Sequence, residues 1–147
     1  FVVAPAQRRS RIARMTGETP PAPRKPRRVL VVDDEPAIQM VVADALADEG
    51  HEARTAGSGR EALALLDRWL PDIILLDLTL PEMSGQAFRA AQRALGGPRS
   101  EVPVILVTGA HQQDGLVQEM GALGMLRKPF DLDALIALVN DCDLSAR

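Results

Sequence analysis

Five polar side chains stand at the ends of short apolar runs in this sequence, and their types suit chemistry on a phosphoryl group. They are Asp33 and Asp34, Asp77, Thr108 and Lys128, at the ends of the first, third, fourth and last of five such runs. Carboxylates can bind a metal ion or act as nucleophiles, a lysine supplies a mobile positive charge, and a threonine supplies a hydroxyl donor. If the fold brings the five together, they form one acidic site that contains a single positive charge.

The three aspartates set the requirements of such a site. Clustered carboxylates repel one another and raise one another's pKa unless a cation compensates their charge. Oxygen ligands suit Mg²⁺, which usually keeps several waters and also contacts a phosphate group. A carboxylate can itself accept a phosphoryl group and form an aspartyl-phosphate. Asp77, which stands alone at the end of a central run, is the predicted nucleophile, and Asp33 and Asp34 are the predicted metal holders.

The apolar runs indicate the strands that position these residues. Residues 29–32, 73–76 and 104–107 are apolar at every position, which is typical of strands covered by helices on both faces. Shorter candidate strands occur near residues 52–55 and 125–126. Alternation with helical segments predicts five βα units and a parallel sheet. We expect a doubly wound, flavodoxin-like α/β fold with strand order 2-1-3-4-5, whose ligand site lies between strands 1 and 3.

Five helices are predicted from capping residues and one-face periodicity. They start, in chain order, at Pro36, at Ser58, at Ser84, close to Leu116, and at Asp131. Ser58 and Glu61 form a capping box, and the helix that they open carries apolar residues as far as Leu70. The fourth helix is the weakest, because Gly115 and Gly121 flank it.

The composition is that of one globular domain. The chain has 147 residues, and because only 3% of them are aromatic, its core must be built from aliphatic side chains. Cys142 is the only cysteine, so no intrachain disulfide can form, as in a reducing cytoplasm. The apolar runs are too short to span a bilayer, and the first residues lack the pattern of a secretory signal. We expect a cytoplasmic protein without membrane contact.

Charge separates the chain into two parts. Residues 1–28 carry eight basic residues against one acidic residue, Glu18, whereas the rest of the chain is acidic. Residues 19–26 are rich in proline and contain no core-forming pattern. A basic tail on an acidic body is compatible with nucleic-acid binding, but a solvated linker is the simpler interpretation. We predict a disordered tail or linker over residues 1–26, a folded domain over residues 27–145, and no direct DNA binding.

Four segments together resemble the receiver domains of two-component response regulators. Residues 29–36 read VLVVDDEP, residues 72–85 read DIILLDLTLPEMSG, residues 103–109 read PVILVTG, and residues 128–130 read KPF. Each segment is weak evidence by itself, but the four occur in order and each lies at a predicted strand end. The resemblance covers about residues 27–143 of the chain.

This resemblance implies roles for the matched acidic residues. Asp77 accepts a phosphoryl group from a histidine kinase or a histidine phosphotransfer protein. Mg²⁺ is bound directly by Asp34, by Asp77 and by the backbone carbonyl of Thr79, while Asp33 assists, often through water. The domain is then regulatory rather than an enzyme, since it catalyses only its own phosphorylation and dephosphorylation.

The resemblance also implies a two-state switch. Thr108 and Lys128 hold the phosphoryl group and move to meet it, which shifts the weak fourth helix and the adjoining face of the fifth strand and helix, and a partner reads that shift. The bond between Lys128 and Pro129 is expected to be cis. Met125 stands where the family usually has Tyr or Phe, so the switch is expected to be softer or to use another route.

Several other residues have simpler expected roles. His51 and His111 are expected at the surface rather than as metal ligands, because no partner at metal-binding spacing accompanies either. Trp69 is expected in the core. Ala110, like Thr79, occupies a position at which the family tunes dephosphorylation.

Two alternative functions remain open at this stage. A degenerate receiver would act only as a docking module, and Met125 is the residue that favours it. A phosphatase of the haloacid dehalogenase type also uses a strand-end aspartate, but it usually carries a second aspartate two residues later, where this sequence has Thr79. The chain ends soon after the fifth predicted helix, so we expect either a stand-alone receiver or the C-terminal receiver of a hybrid histidine kinase.

Overall fold

The computed structural model describes residues 25–109, residues 115–142 and residue 144. Nearly all of the predicted tail at residues 1–26 therefore lies outside the described residues, as do Ala110 and His111. The expectations for these parts of the chain, and the domain limits 27–145, stay predictions.

Five strands form one parallel sheet. They are β1 (Arg28–Val32), β2 (Glu52–Ala56), β3 (Ile73–Asp77), β4 (Val104–Thr108) and β5 (Gly124–Arg127). The spatial order is β2-β1-β3-β4-β5, and every neighbouring pair is parallel. The predicted doubly wound, flavodoxin-like architecture is confirmed. The order reverses between β1 and β3, which is where such sheets leave a crevice for a ligand.

The described part of the chain contains six helices, of which five lie between strands and the sixth follows β5. They are α1 (Pro36–Asp48), α2 (Gly59–Leu66), α3 (Gly85–Ala94), α4 (Gly97–Ser100), α5 (Leu116–Met120) and α6 (Leu132–Asp141). The short α4 is not among the five helices predicted from the sequence. None of the described helices is long and apolar enough to cross a bilayer.

Side-chain caps define several of the helix starts. Ser58 Oγ accepts from the Glu61 N–H at the start of α2, and Ser84 Oγ accepts from the Ala87 N–H at the start of α3, each at 3.1 Å. The capping box at α2 is only half formed, because the Glu61 carboxylate accepts from the Gly57 N–H instead of reaching back to Ser58. These polar side chains satisfy backbone groups that a helix end leaves without partners.

Helix α2 ends earlier than its apolar pattern predicted. It stops at Leu66, although the Trp69 N–H still donates to the Leu65 carbonyl at 3.0 Å, and Trp69 is packed in the core, 4% exposed. The guanidinium groups of Arg28 and Arg54 lie 5.0 and 4.8 Å from the centre of its ring. Pro71 follows closely and disfavours a helical conformation in the residue before it. The core position expected for Trp69 is therefore confirmed, although the helix is shorter.

The sheet buries a separate apolar layer on each of its faces. Alternate residues of a strand point to opposite faces, so Leu30 and Ile74 lie in one buried cluster while Val29 and Ile73 lie in the other. The first cluster is completed by residues of α2, α3 and α5, and the second by residues of α1 and α6. Both faces of the sheet are thus covered, and its carboxyl edge carries the predicted polar residues.

His51 is buried, and its predicted surface position is wrong. The residue is 5% exposed, and its Nδ1 accepts a hydrogen bond from the Arg27 backbone N–H at 3.0 Å. Nε2 lies 2.7 Å from Asn140 Oδ1. Because Nδ1 is the acceptor, Nε2 carries the proton and donates it to Asn140. His51 therefore joins the start of β1 to helix α6, a role that its local sequence does not indicate.

Candidate functional site

The two buried aspartates occupy equivalent places on neighbouring strands. Asp33 directly follows β1, Asp77 is the last residue of β3, and β1 pairs with β3. Asp33 is 3% exposed and Asp77 is 1% exposed. Since the carboxyl ends of parallel strands meet at one edge, the fold sets both carboxylates into the same crevice.

Each aspartate is also held by the turn that follows it. Asp33 Oδ1 accepts from the Glu35 N–H, and Asp77 Oδ1 accepts from the Thr79 N–H, both at 2.9 Å. Such bonds to the backbone two residues ahead are typical of aspartate at the start of a turn. The Thr79 hydroxyl adds a second hydrogen bond to Asp77 Oδ1 at 3.0 Å. One oxygen of each carboxylate is therefore fixed by its own loop, and the other oxygen faces the crevice.

Lys128 joins the two aspartates. Its Nζ lies 2.9 Å from Asp33 Oδ2 and 3.1 Å from Asp77 Oδ2. The lysine follows β5, its backbone N–H donates to the Thr108 carbonyl at 2.7 Å, and its bond to Pro129 is cis, as expected. The residues predicted from separate strand ends thus meet around one ammonium group.

The charges of this site are only partly balanced. Burial raises the pKa of Asp33 above its ordinary value of 3.8, although hydrogen bonds from Lys128 and from the Glu35 N–H and the lysine charge oppose the rise. Burial alone would lower the pKa of Lys128, but its hydrogen bonds to Asp33 and Asp77 and their charges outweigh burial and raise it. The two directions are compatible, because one partly solvated ammonium is shared by several carboxylates while Asp33 is almost fully buried.

A compact group of carboxylates lies at the mouth of this crevice. Oxygen atoms of Asp33, Asp34 and Glu35 all lie within 4.8 Å of one another, and Asp34 and Glu35 are exposed to solvent. Carboxylate oxygens beside a partly compensated buried aspartate fit a hard divalent cation. This group contains Asp33 and Asp34 of the predicted Mg²⁺ ligands, together with Glu35, which the sequence interpretation did not consider as a ligand. Metal binding by Asp77 and by the Thr79 carbonyl stays a prediction.

Thr108 lies at the same edge of the sheet, next to Lys128. It is the last residue of β4, 3% exposed, and it pairs in register with Arg127, the residue before Lys128. Its carbonyl holds the Lys128 N–H, so the predicted hydroxyl donor and the predicted ammonium are coupled through the backbone. All four predicted strand ends, those of β1, β3, β4 and β5, therefore contribute to one site.

Sequence reasoning missed two residues that support the acidic loop. Glu35 Oε1 lies 3.5 Å from Lys128 Nζ, and Gln39 Nε2 donates to the Asp33 carbonyl. Gln39 stands one helical turn after Glu35, so both belong to the first turns of α1 above the loop. This spacing is the only signal in the sequence that could have identified Gln39.

Met125 lies on β5, which is the edge strand of the sheet. It pairs in register with Leu106 on β4, is partly buried, and packs against the buried cluster that contains Leu106 and Leu116. Methionine is flexible and fills irregular space in a core. The side chain at this position is thus an apolar packing element that offers no hydroxyl.

Comparisons with known proteins agree on one family. Residues 29–140 match the family model described as the response regulator receiver domain. The regulatory protein AtoC of Escherichia coli K12 is 36% identical over 115 residues, which cover 77% of this chain and 24% of AtoC. The DNA-binding dual master transcriptional regulator RpaA of Synechocystis is 36% identical over 116 residues, which cover 77% of this chain and 47% of RpaA. The chain thus spans less than half the length of these two relatives.

Solved structures give the same answer for the fold. The chemotaxis protein CheY4 of Vibrio cholerae superposes with a TM-score of 0.74 at 31% sequence identity, covering 81% of this chain and 100% of CheY4.

Proposed function

The chain belongs to the response regulator receiver domain family, whose members are regulatory signalling domains, and from this premise we propose that it takes a phosphoryl group on Asp77 with the help of Mg²⁺. The phosphoryl donor is a phosphohistidine of a histidine kinase or a histidine phosphotransfer protein. Phosphorylation then changes a surface that a downstream partner recognises. We propose residues 27–145 as the unit that performs this switch.

One observation carries the proposal. A single ammonium, Lys128 Nζ, contacts two carboxylates that are almost completely buried, Asp33 and Asp77. Burying charged groups is costly, so such a cluster needs a compensating function or partner. A pair of acids and a lysine at the strand-reversal edge of a doubly wound sheet suits a phosphoryl-accepting site better than it suits a structural ion pair.

The residues of the proposed site have defined parts in the transfer. An oxygen of the Asp77 carboxylate attacks the phosphorus atom, a new P–O bond forms, and the P–N bond to the histidine breaks. The bonding electrons stay on the imidazole nitrogen, which takes a proton from solvent. The Thr79 N–H and hydroxyl orient Asp77 by holding Oδ1. Lys128 and Thr108, joined through the Thr108 carbonyl, then donate to the phosphoryl oxygens.

The donor set fits a magnesium ion beside Asp77. Asp34, Asp77 and the backbone carbonyl of Thr79 would hold it, with Asp33 assisting, and it would neutralise charge on the phosphoryl oxygens when bound. The Gln39 amide stabilises this arrangement, because it holds the carbonyl of Asp33 at the start of the acidic loop.

The phosphodonor reaches the site over an apolar groove. The groove runs between α1 and the loop after β5, and its wall contains Glu35 and Lys128 together with apolar residues of α1. Val41 lines the groove and is 49% exposed, so the groove presents apolar surface to solvent beside the acidic site. Because the groove is continuous with the site, a protein that brings a phosphohistidine to Asp77 must pass over it.

Helix α5 is the element best placed to respond. It has only five residues, and Gly115 and Gly121 at its two ends both have left-handed backbone conformations. It follows β4 along the chain, and its residues Leu116 and Met120 pack in the same buried cluster as Leu106 of β4, the strand that ends at Thr108. A short helix with left-handed ends has few hydrogen bonds of its own and shifts at low cost.

Acetyl phosphate and Mg²⁺ test the proposal directly. We expect the wild-type chain to gain the mass of one phosphoryl group, measured on the intact protein. Hydroxylamine should remove the group, because acyl phosphates react with it whereas phosphoserine and phosphothreonine do not. Asp77→Asn should show no gain, and Asp44→Asn, which alters an exposed aspartate of α1, should label as the wild type does.

Two results would contradict the proposal. One is the absence of labelling on a wild-type chain that circular dichroism shows to be folded. The other is equal labelling of Asp77→Asn. The absence of direct DNA binding stays a prediction for this chain, since the name of RpaA describes RpaA alone.

A further inference from the structure

Lys128 touches a third carboxylate besides the two buried aspartates. Its Nζ lies 3.5 Å from Glu35 Oε1, compared with 2.9 Å to Asp33 and 3.1 Å to Asp77. The Asp33 and Asp77 side chains are 5% and 1% exposed, whereas the Glu35 side chain is 59% exposed. The ammonium therefore lies between a buried pair of acids and one acid at the rim.

Glu35 is held in place for this contact. Its backbone N–H donates to Asp33 Oδ1, and its carbonyl accepts from the Gln39 N–H in the first turn of α1. It occupies the N-cap position of α1, yet its side chain caps no backbone N–H of that helix. The carboxylate thus serves no capping role and extends instead toward the lysine.

A divalent cation would compete with Lys128 for the same oxygens. The ammonium contacts Asp33 and Asp77, which are two of the residues proposed to hold Mg²⁺. Two cations at neighbouring positions repel each other, and a buried site screens that repulsion poorly. The lysine side chain must therefore shift when the metal ion binds, while its backbone stays fixed by the bond to the Thr108 carbonyl.

We propose that Glu35 is a positioning residue that receives the Lys128 ammonium when a divalent cation binds. It keeps the lysine at the rim, paired and within reach, until a phosphoryl group on Asp77 offers new oxygens. The required movement is small, because the ammonium already contacts Glu35. This inference rests on the proposed function, since it requires that Mg²⁺ binds beside Asp77.

A double-mutant cycle on Glu35 and Lys128 tests the inference, with Mg²⁺ alone as the probe and calorimetric titration as the measurement. In Glu35→Gln we expect Mg²⁺ affinity to fall about three- to fivefold, the strength of an exposed ion pair. In Lys128→Met we expect it to rise, because the competing cation is gone. In the double variant we expect a Mg²⁺ affinity within about twofold of that of Lys128→Met, since loss of Glu35 has no effect when there is no ammonium for it to receive.

Two controls separate this effect from other causes. Glu82→Gln removes an exposed carboxylate from the loop after Asp77 and should change Mg²⁺ affinity by less than about twofold. If Lys128→Met does not fold, Lys128→Gln removes the charge while keeping an amide donor and supplies the same background. Urea unfolding of each variant establishes that it is folded before titration.

The outcomes distinguish the two proposals. If Glu35→Gln lowers Mg²⁺ affinity equally with Lys128 present and with Lys128 replaced, Glu35 acts on the metal ion itself. If it lowers the affinity in neither case, Glu35 has no part in metal binding. Either result would overturn this inference and leave the proposed function intact. A folded wild-type chain that does not bind Mg²⁺ would instead overturn the proposed function, and this inference with it.

Discussion

Asp33 carries a charge that its surroundings compensate only in part. Its carboxyl is nearly buried, it shares the Lys128 ammonium with Asp77 and Glu35, and burial raises its pKa above the ordinary value of 3.8. A carboxyl with a raised pKa binds more protons in the folded chain than in the unfolded chain. Its contribution to the free energy of unfolding is therefore fully present below pH 3.8 and is lost as the pH rises through the pKa of the folded state.

Asp33→Asn should remove this pH-dependent loss. In the absence of Mg²⁺, we expect the variant to gain stability relative to the wild type as the pH rises from about 3.8 toward neutrality. Urea unfolding at a series of pH values measures the difference, and Asp44→Asn on the exposed side of α1 provides the control. A difference that is constant or shrinks with rising pH would show that burial of the Asp33 charge is not the dominant effect.

Mg²⁺ should reverse the order of stability of the wild type and Asp33→Asn. A ligand that binds only the folded state stabilises it by about 2.7 kcal/mol at a concentration 100 times its Kd. We expect the wild type to gain about this amount and Asp33→Asn to gain less at the same Mg²⁺ concentration. Equal gains would argue that Asp33 takes no part in holding the ion.

At the scale of elements, helix α3 holds the C-terminal end of helix α5. Arg89 on α3 is 7% exposed and donates to the carbonyls of Met120 and Gly121, at the end of α5, at 3.1 and 3.3 Å. It also donates to Val102 O, and burial, followed by the charge of Arg93, lowers the pKa of Arg89 to about 10. A buried guanidinium held by neutral carbonyls at a helix C-terminus gains from the negative end of the helix dipole.

Replacing Arg89 should therefore loosen α5. In Arg89→Met we expect a loss of about 2 kcal/mol in the free energy of unfolding, because the carbonyls of Val102, Met120 and Gly121 each lose one hydrogen bond. Arg93→Met is the matched control, since Arg93 is exposed and donates to the same Met120 carbonyl, and it should cost no more than about 0.5 kcal/mol. Denaturant unfolding gives both values; similar losses in the two variants would contradict a special role for Arg89.

Amide hydrogen exchange tests the same contact locally. The amides of α5 should exchange faster in Arg89→Met than in the wild type.

At the scale of the whole molecule, the acidic edge of the sheet and the apolar groove form one continuous surface. Helix α1 contributes to both, because its first turn carries Glu35 and Gln39 beside the site while Ile38 and Val41 line the groove. Met40, on the same helix, is 65% exposed but does not line the groove. Under the proposed function, a protein that donates the phosphoryl group would contact this groove, whereas a small donor would not.

These two routes to Asp77 can be separated by substitution. Val41→Glu should slow phosphoryl transfer from a phosphorylated histidine kinase about tenfold, because a charge replaces an apolar contact in the groove. Labelling by acetyl phosphate should be unchanged, since that donor needs no docking surface. Met40→Glu places the same charge one residue away and should have little effect on either rate. Equal slowing by both variants, or slowing of acetyl phosphate labelling, would exclude the groove as the docking surface.

Much of this structure could be predicted because its signals are local. Residues 29–32, 73–76 and 104–107 are apolar at every position, since strands covered on both faces admit few polar residues, and this pattern together with parallel pairing led to the confirmed strand order. The polar residues after those strands had to meet at one edge, as Asp33, Asp77 and Lys128 do. The end of α2 was predicted less well, because Pro71 disfavours a helical conformation at Leu70, which the apolar pattern includes.

The sequence by itself thus determined the strands, their order and the acids at their ends, because apolar runs and the topology of parallel sheets leave few alternatives. Only the tertiary structure decided that Glu35 meets Lys128, 93 residues away, that Arg89 holds Met120, 31 residues away, and that His51 is buried against Asn140, 89 residues away. Such contacts depend on where long side chains lie after the helices have packed. The residues that make them carry no local pattern from which they could be predicted.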